Sequence, residues 1–134
     1  MEEKLIKIGE YPKEFNSILN INLPCLDIFQ SKGLHKHIEK RHPHCLHYLN
    51  KTAEILKSPD YIGVNPKEPR SVELIKKYHN NVQVAVKLDK SGEYYYIASI
   101  YEVTPDKVRK HLKNGRLKKF ELWLLTFPDL RSII

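Results

Sequence analysis

A chain of 134 residues, 41% hydrophobic and 29% charged, has the composition of one folded domain spanning residues 1–134, and it excludes both a disordered tail and two separate cores. Lysine and arginine outnumber aspartate and glutamate by 23 to 16, and the resulting net charge of +7 favours an anionic partner such as nucleic acid. Two cysteines, Cys25 and Cys45, make no disulfide framework, and no run approaches the roughly 18 apolar residues of a membrane span. Membrane and secretion readings therefore lapse, and the expected location is a reducing cytoplasm.

In chain order, Glu14 to Leu19 reads as a short helix, and Leu26, Ile28 and Phe29 as a strand. Ser31 is placed to cap a helix that carries Leu34 and Ile38 on one face and stops near Arg41, because Pro43 disfavours helical geometry at His42. A second helix is expected from Pro43, with Leu46, Leu49, Ala53 and Leu56 along one apolar stripe, ending at Ser58-Pro59-Asp60. Tyr61 to Val64 fits a strand, Pro66 and Pro69 mark a turn, and Val72 to Tyr78 suits helix and strand equally. The strongest β signal is Val82 to Leu88, then Asp89-Lys90-Ser91-Gly92, then Tyr94 to Val103, an antiparallel hairpin. Thr104-Pro105-Asp106 starts a helix that should end near Asn114-Gly115, and Arg116, Lys118 and Lys119 lead into the apolar stretch Phe120 to Phe127.

Five of the seven histidines, His35, His37, His42, His44 and His47, fall within thirteen residues, beside Lys36, Lys40, Arg41 and Cys45. Three chemistries compete for this corner. Zinc would need Cys45 to converge with at least two of His42, His44 and His47, without help from any paired CxxC or HExxH spacing. Half-exposed bystanders are expected for His35, His44 and His47. The third is acid–base chemistry on RNA. Cleavage through the 2′-hydroxyl needs a base, an acid and cations for the phosphorane, which histidine and arginine supply without a metal. Four residues apart on a helix, His37 and Arg41 share a face, and His42 sits at the corner beyond them.

The order of residues narrows the choice. Gly33-Leu34-His35-Lys36-His37-Ile38-Glu39-Lys40-Arg41-His42-Pro43, with the later blocks Ser58-Pro59-Asp60-Tyr61-Ile62-Gly63, Val84 to Leu88, Tyr95 to Tyr101 and Gly115 to Lys119, resembles the phage-associated branch of the barnase, EndoU, colicin and RelE-like (BECR) nucleases. The likeness runs from about Lys7 to Phe120. It implies an α+β fold in which amino-terminal helices pack on a twisted antiparallel sheet of about four strands, with RNA bound across the open sheet face. It also implies metal-independent, cofactor-free endoribonuclease activity.

Carried over residue by residue, the resemblance gives His37, Arg41 and His42 as the helix motif and Ser99 as the strand hydroxyl, a position where related sequences more often carry threonine. Tyr101 faces the same side as Ser99. In this scheme His37 and His42 exchange protons, Arg41 stabilises the phosphorane, and Ser99 with Tyr101 orients the phosphate, leaving a 2′,3′-cyclic phosphate and a 5′-hydroxyl. Lys40, Lys87, Arg116, Lys118 and Lys119 are the expected RNA contacts. A toxin-like role with an inhibitory or immunity protein, or a restricted substrate such as transfer RNA, follows as a corollary. The alternative is a non-catalytic RNA-binding phage accessory module of the same fold.

Overall fold

The computed structural model describes residues 5–121. The elements are β1 (Leu5–Glu10), α1 (Lys13–Leu19), β2 (Asp27–Ser31), α2 (Lys32–Arg41), a 3-10 segment (Pro43–Lys51), α3 (Thr52–Lys57), β3 (Tyr61–Asn65), β4 (Glu68–Lys77), β5 (Asn81–Leu88), β6 (Tyr95–Val103), α4 (Pro105–Lys113) and β7 (Leu117–Lys119). The strands form one mixed sheet in the order β1-β2-β6-β5-β4-β3-β7. All neighbours are antiparallel except β2 and β6, which pair in parallel over Ile28↔Tyr95 and Phe29↔Tyr96 alone. Beyond that short ladder the edge of β6 is covered by α2 and the 3-10 segment.

Strand alternation gives the sheet two unlike faces. Val72 and Leu74 of β4, Val82, Val84 and Val86 of β5, and Tyr95, Ile97 and Ile100 of β6 are buried against Phe15, Leu34, Ile38, Cys45, Tyr48, Ile55 and Leu56 from the helical segments. This first face is the main core. The second face carries Glu73, Gln83, Ser99 and Tyr101, since Glu73 pairs with Ala85, Ala85 with Ser99, and Gln83 with Tyr101 across the ladder. Among the described residues, one end of it is covered, where α4 brings Val108 onto Tyr61, Ile75, Val103 and Leu117. A register shift opposite Ala85 and Val86 leaves Ala98 unpaired in β6. This bulge lets Ile97 and Ile100 face the core while Ser99 and Tyr101 face the other way.

Local chemistry explains most boundaries. Thr104 caps α4 by accepting a 3.2 Å hydrogen bond from the Lys107 amide, Pro105 occupies the first turn, and Gly115 takes φ +85 just past the end. α2 ends at Arg41, with Leu34 and Ile38 buried; Ser31 stands at its N-cap in extended geometry without a side-chain cap bond. The Val72–Tyr78 ambiguity resolves as strand up to Lys77, with Tyr78 just beyond the end of β4. Tyr11 stacks on Tyr95 at 4.8 Å, and the Tyr95 hydroxyl donates to the Pro24 carbonyl at 2.6 Å, tying the amino-terminal segment to β6.

Several expectations need correcting. Among the described residues the sheet has seven strands rather than about four, one pair is parallel, and α4 shows that the helices are not all amino-terminal. β1 was unforeseen because it is an edge strand with exposed residues at five to seven and lacks a clean apolar alternation. The helix expected from Pro43 is a 3-10 segment followed by the short α3, and it buries Cys45, Tyr48, Thr52, Ile55 and Leu56 while Ala53 is exposed. Three residues per turn rotate different side chains inward than the 3.6-residue stripe does. Pro69 lies inside β4 rather than in the turn. Most of the apolar stretch Phe120 to Phe127 lies outside the described residues. Among the described residues, no helix is long and apolar enough to cross a membrane.

Candidate active site

At the centre of the second face, Glu73 is 4% exposed and accepts two hydrogen bonds from Arg116, from Nη2 at 2.5 Å and from Nε at 3.2 Å. The sheet order makes this possible. Gly63 of β3 lies between Glu73 of β4 and Leu117 of β7 in the register. A Cβ on Gly63 would stand 2.2 Å from the Arg116 carbonyl oxygen. Without a side chain there, β7 approaches closely and the Arg116 guanidinium reaches across to the buried carboxylate. The pairing raises the Arg116 pKa further above its ordinary value.

Beside the pair, Gln83 Nε2 donates to the Tyr101 hydroxyl at 2.5 Å. No acceptor among the described residues takes the phenol's own proton. Burial, reinforced by the Glu73 charge, pushes the Tyr101 pKa up, so the phenol keeps that proton at neutral pH as a donor. His42 stacks on the Tyr101 ring with centroids 5.5 Å apart and 30° between planes, and the Lys107 ammonium lies 5.7 Å from the same ring. His111 of α4 feels both charges of the Glu73–Arg116 pair. Burial first, then Arg116, lowers its pKa, which keeps the imidazole neutral near pH 7. An open groove next to this cluster is lined by Lys110, His111, Asn114, Arg116 and Lys118.

The structure brings together some of the sequence candidates. His42 and Tyr101 are in contact, and Ser99 shares their side of the sheet, two residues back along β6. His37 and Arg41 are exposed on α2, and neither forms a hydrogen bond or ion pair among the described residues. Lys40 is exposed on the same helix, and Lys118 and Lys119 are exposed on β7. Two of the expected phosphate contacts are already paired: Lys87 lies 2.9 Å from Glu68, and Arg116 holds Glu73.

Glu73, Gln83 and His111 were missed. The first two carried a signal: each interrupts an apolar run, Ser71-Val72-Glu73-Leu74-Ile75 and Val82-Gln83-Val84, at a position that strand alternation places opposite the core. His111 stands alone in its helix and carried none. Of the three bystander histidines, His35 lies 3.5 Å from Glu39 and the His47 ring lies tilted against that of Tyr48 with centroids 3.9 Å apart, whereas His44 lies 3.6 Å from Glu102.

Imidazoles, a phenol and a carboxylate–guanidinium pair thus lie along the second face of an α+β sheet, side chains of the kinds that can exchange protons and hold an anion. A family model described as phage-Barnase-EndoU-ColicinE5/D-RelE like nuclease3 matches residues 6–110, most of the chain, so the protein belongs to this nuclease-like family. No curated protein and no solved structure matches it.

Proposed function

We propose that the protein is an endoribonuclease that cleaves RNA on the second sheet face by attack of the 2′-hydroxyl, with no metal ion at the scissile phosphate. The observation that carries this reading is the Tyr101 phenol, stacked under His42 and accepting from Gln83, with no acceptor among the described residues for its own proton, which would then go to a phosphate oxygen. His42 and His111 exchange the protons, Arg116 and Tyr101 stabilise the phosphorane, and Ser99 helps to orient the phosphate. Relative to the sequence motif, this moves the second imidazole from α2 to α4. His37 and Arg41, with Lys40, Lys118 and Lys119, then bind the flanking strand as exposed cations and donors. The net charge of +7 supports an anionic substrate. A nuclease of this kind calls for a restricted substrate such as transfer RNA, or for an inhibitory protein, in the cell that makes it.

The test is incubation of the purified chain with total RNA, with and without chelator, beside His42→Ala, His111→Ala and His37→Ala. Cleavage should survive chelation at a temperature well below unfolding. It should fall by about 10²–10⁴ in kcat for His42→Ala and His111→Ala, and His37→Ala should act on KM. Salt-sensitive RNA binding with no cleavage by the folded wild type would instead support the accessory-module alternative. Loss of turnover in His37→Ala with an intact His111→Ala enzyme would return the chemistry to α2.

A further inference from the structure

On the other side of β6, one residue along from Tyr101, Glu102 faces the 3-10 segment. Two neighbours fix its carboxylate: the Tyr48 hydroxyl and the Asn80 amide each donate to Oε2 at 2.8 Å. Oε1 carries neither of those bonds and turns to His44, whose Nε2 is 3.6 Å away. Cys45, 0% exposed and unpaired with any other cysteine, completes the group. One ligating atom from each of His44, Cys45 and Glu102 lies within 4.8 Å of the others. His44 is the one histidine in this group, so the set of Cys45 with two histidines that the sequence suggested for zinc does not form among the described residues, and Glu102 stands where a second imidazole was expected.

We propose that His44, Cys45 and Glu102 form a binding site for a zinc-class divalent cation, with imidazole Nε2, thiolate Sγ and carboxylate Oε1 as ligands and a fourth position for water. A nitrogen, a sulfur and an oxygen at this number and spacing match the donor preferences of zinc over calcium or magnesium, which take oxygen alone. Ligand atoms around a tetrahedral zinc stand about 3.3–3.8 Å apart, given metal–ligand distances of about 2.0–2.3 Å. The group therefore closes by about 1 Å, a movement that the exposed His44 can make. Tyr48 and Asn80 are the outer shell that orients the carboxylate. Binding replaces the Cys45 S–H bond with a bond from sulfur to the metal, and one proton leaves to solvent. The ion would staple the 3-10 segment to β6 on the face opposite Glu73 and Arg116. The inference does not depend on the nuclease reading.

The test uses the full chain, reduced and stripped of metal, titrated with cobalt(II) and then with zinc. One equivalent of cobalt should bind and give the visible bands of tetrahedral geometry and a thiolate charge-transfer band. Zinc should displace it and raise the Tm. Cys45→Ser should abolish the charge-transfer band and Cys25→Ser should leave it. His44→Ala, a change at an exposed side chain, should weaken binding by about tenfold or more, and His35→Ala should leave it unchanged. Circular dichroism checks each variant, and His44→Ala decides the matter if Cys45→Ser fails to fold. No saturable binding by the wild type, a charge-transfer band that survives Cys45→Ser, or wild-type affinity in His44→Ala would overturn the proposal.

Discussion

Replacing Arg116 by methionine removes the cation from a carboxylate whose side chain is 6% exposed, while the guanidinium it loses was 25% exposed. Breaking a buried ion pair from one side costs about 3–5 kcal/mol. The partial exposure of Arg116 lets water reach the site, so the low end, about 3 kcal/mol, is the expected loss. The reverse change, Glu73→Leu, leaves a guanidinium that can turn to solvent and should cost about 1 kcal/mol. Restoring apolar complementarity in Glu73→Leu/Arg116→Met should bring stability back to within about 1 kcal/mol of wild type, a coupling of about 3 kcal/mol. Urea denaturation measures all four corners of this cycle. At about 4 °C per kcal/mol for a chain of this size, Arg116→Met should also lower the Tm by about 12 °C. On the proposed function, RNA cleavage should be absent in the double variant despite its recovered fold. Single losses that simply add in the double variant, or a cost below about 1 kcal/mol for Arg116→Met, would refute a buried, coupled pair.

Gly63→Ala should cost about 1–3 kcal/mol and depress cleavage, because a backbone carbonyl 2.2 Å from the new Cβ cannot move without shifting β7 and Arg116; unchanged stability and rate would refute the close approach. Tyr101→Phe keeps the ring under His42 and removes the hydroxyl, so kcat should fall by about 10² with little change in KM. The lowered pKa of His111 means that the unfolded chain binds a proton before the folded one does. That contribution to stability is complete above the ordinary imidazole pKa of about 6.5 and is lost as pH falls through the lowered folded value. His111→Gln should therefore lose less stability than wild type between pH 8 and pH 5 in matched denaturation curves, and an equal loss would contradict the assignment.

What the sequence revealed followed the strength of its local signals. The β5–β6 hairpin, the Thr104 cap and the stop at Arg41 rest on neighbouring residues, and all three are present. β1 and the parallel contact of β2 with β6 depend on distant partners, and neither leaves a periodic trace. The site divides in the same way. His42 and Tyr101, far apart in the chain, were both named from the family motif and its strand, and they meet. The Glu73–Arg116 pair spans forty-three residues and needs Gly63 between its strands, a tertiary condition that no local pattern encodes. The histidine-rich corner turned out to be heterogeneous, because His42, the residue before the 3-10 helix, stacks on Tyr101, while His44 and Cys45, inside that helix, lie beside Glu102.

Attack by the 2′-hydroxyl at the second face, as proposed, is tested most directly by a set of matched oligonucleotides. An all-deoxy strand, the same strand with a single ribonucleotide, and an all-ribo strand are incubated with wild type and His42→Ala, and the product ends are read by mass. Cleavage only on the 3′ side of ribose, leaving a 2′,3′-cyclic phosphate and a 5′-hydroxyl, and lost in His42→Ala, is the predicted result. Cleavage of the all-deoxy strand, or 5′-phosphate ends from the ribo strands, would contradict it.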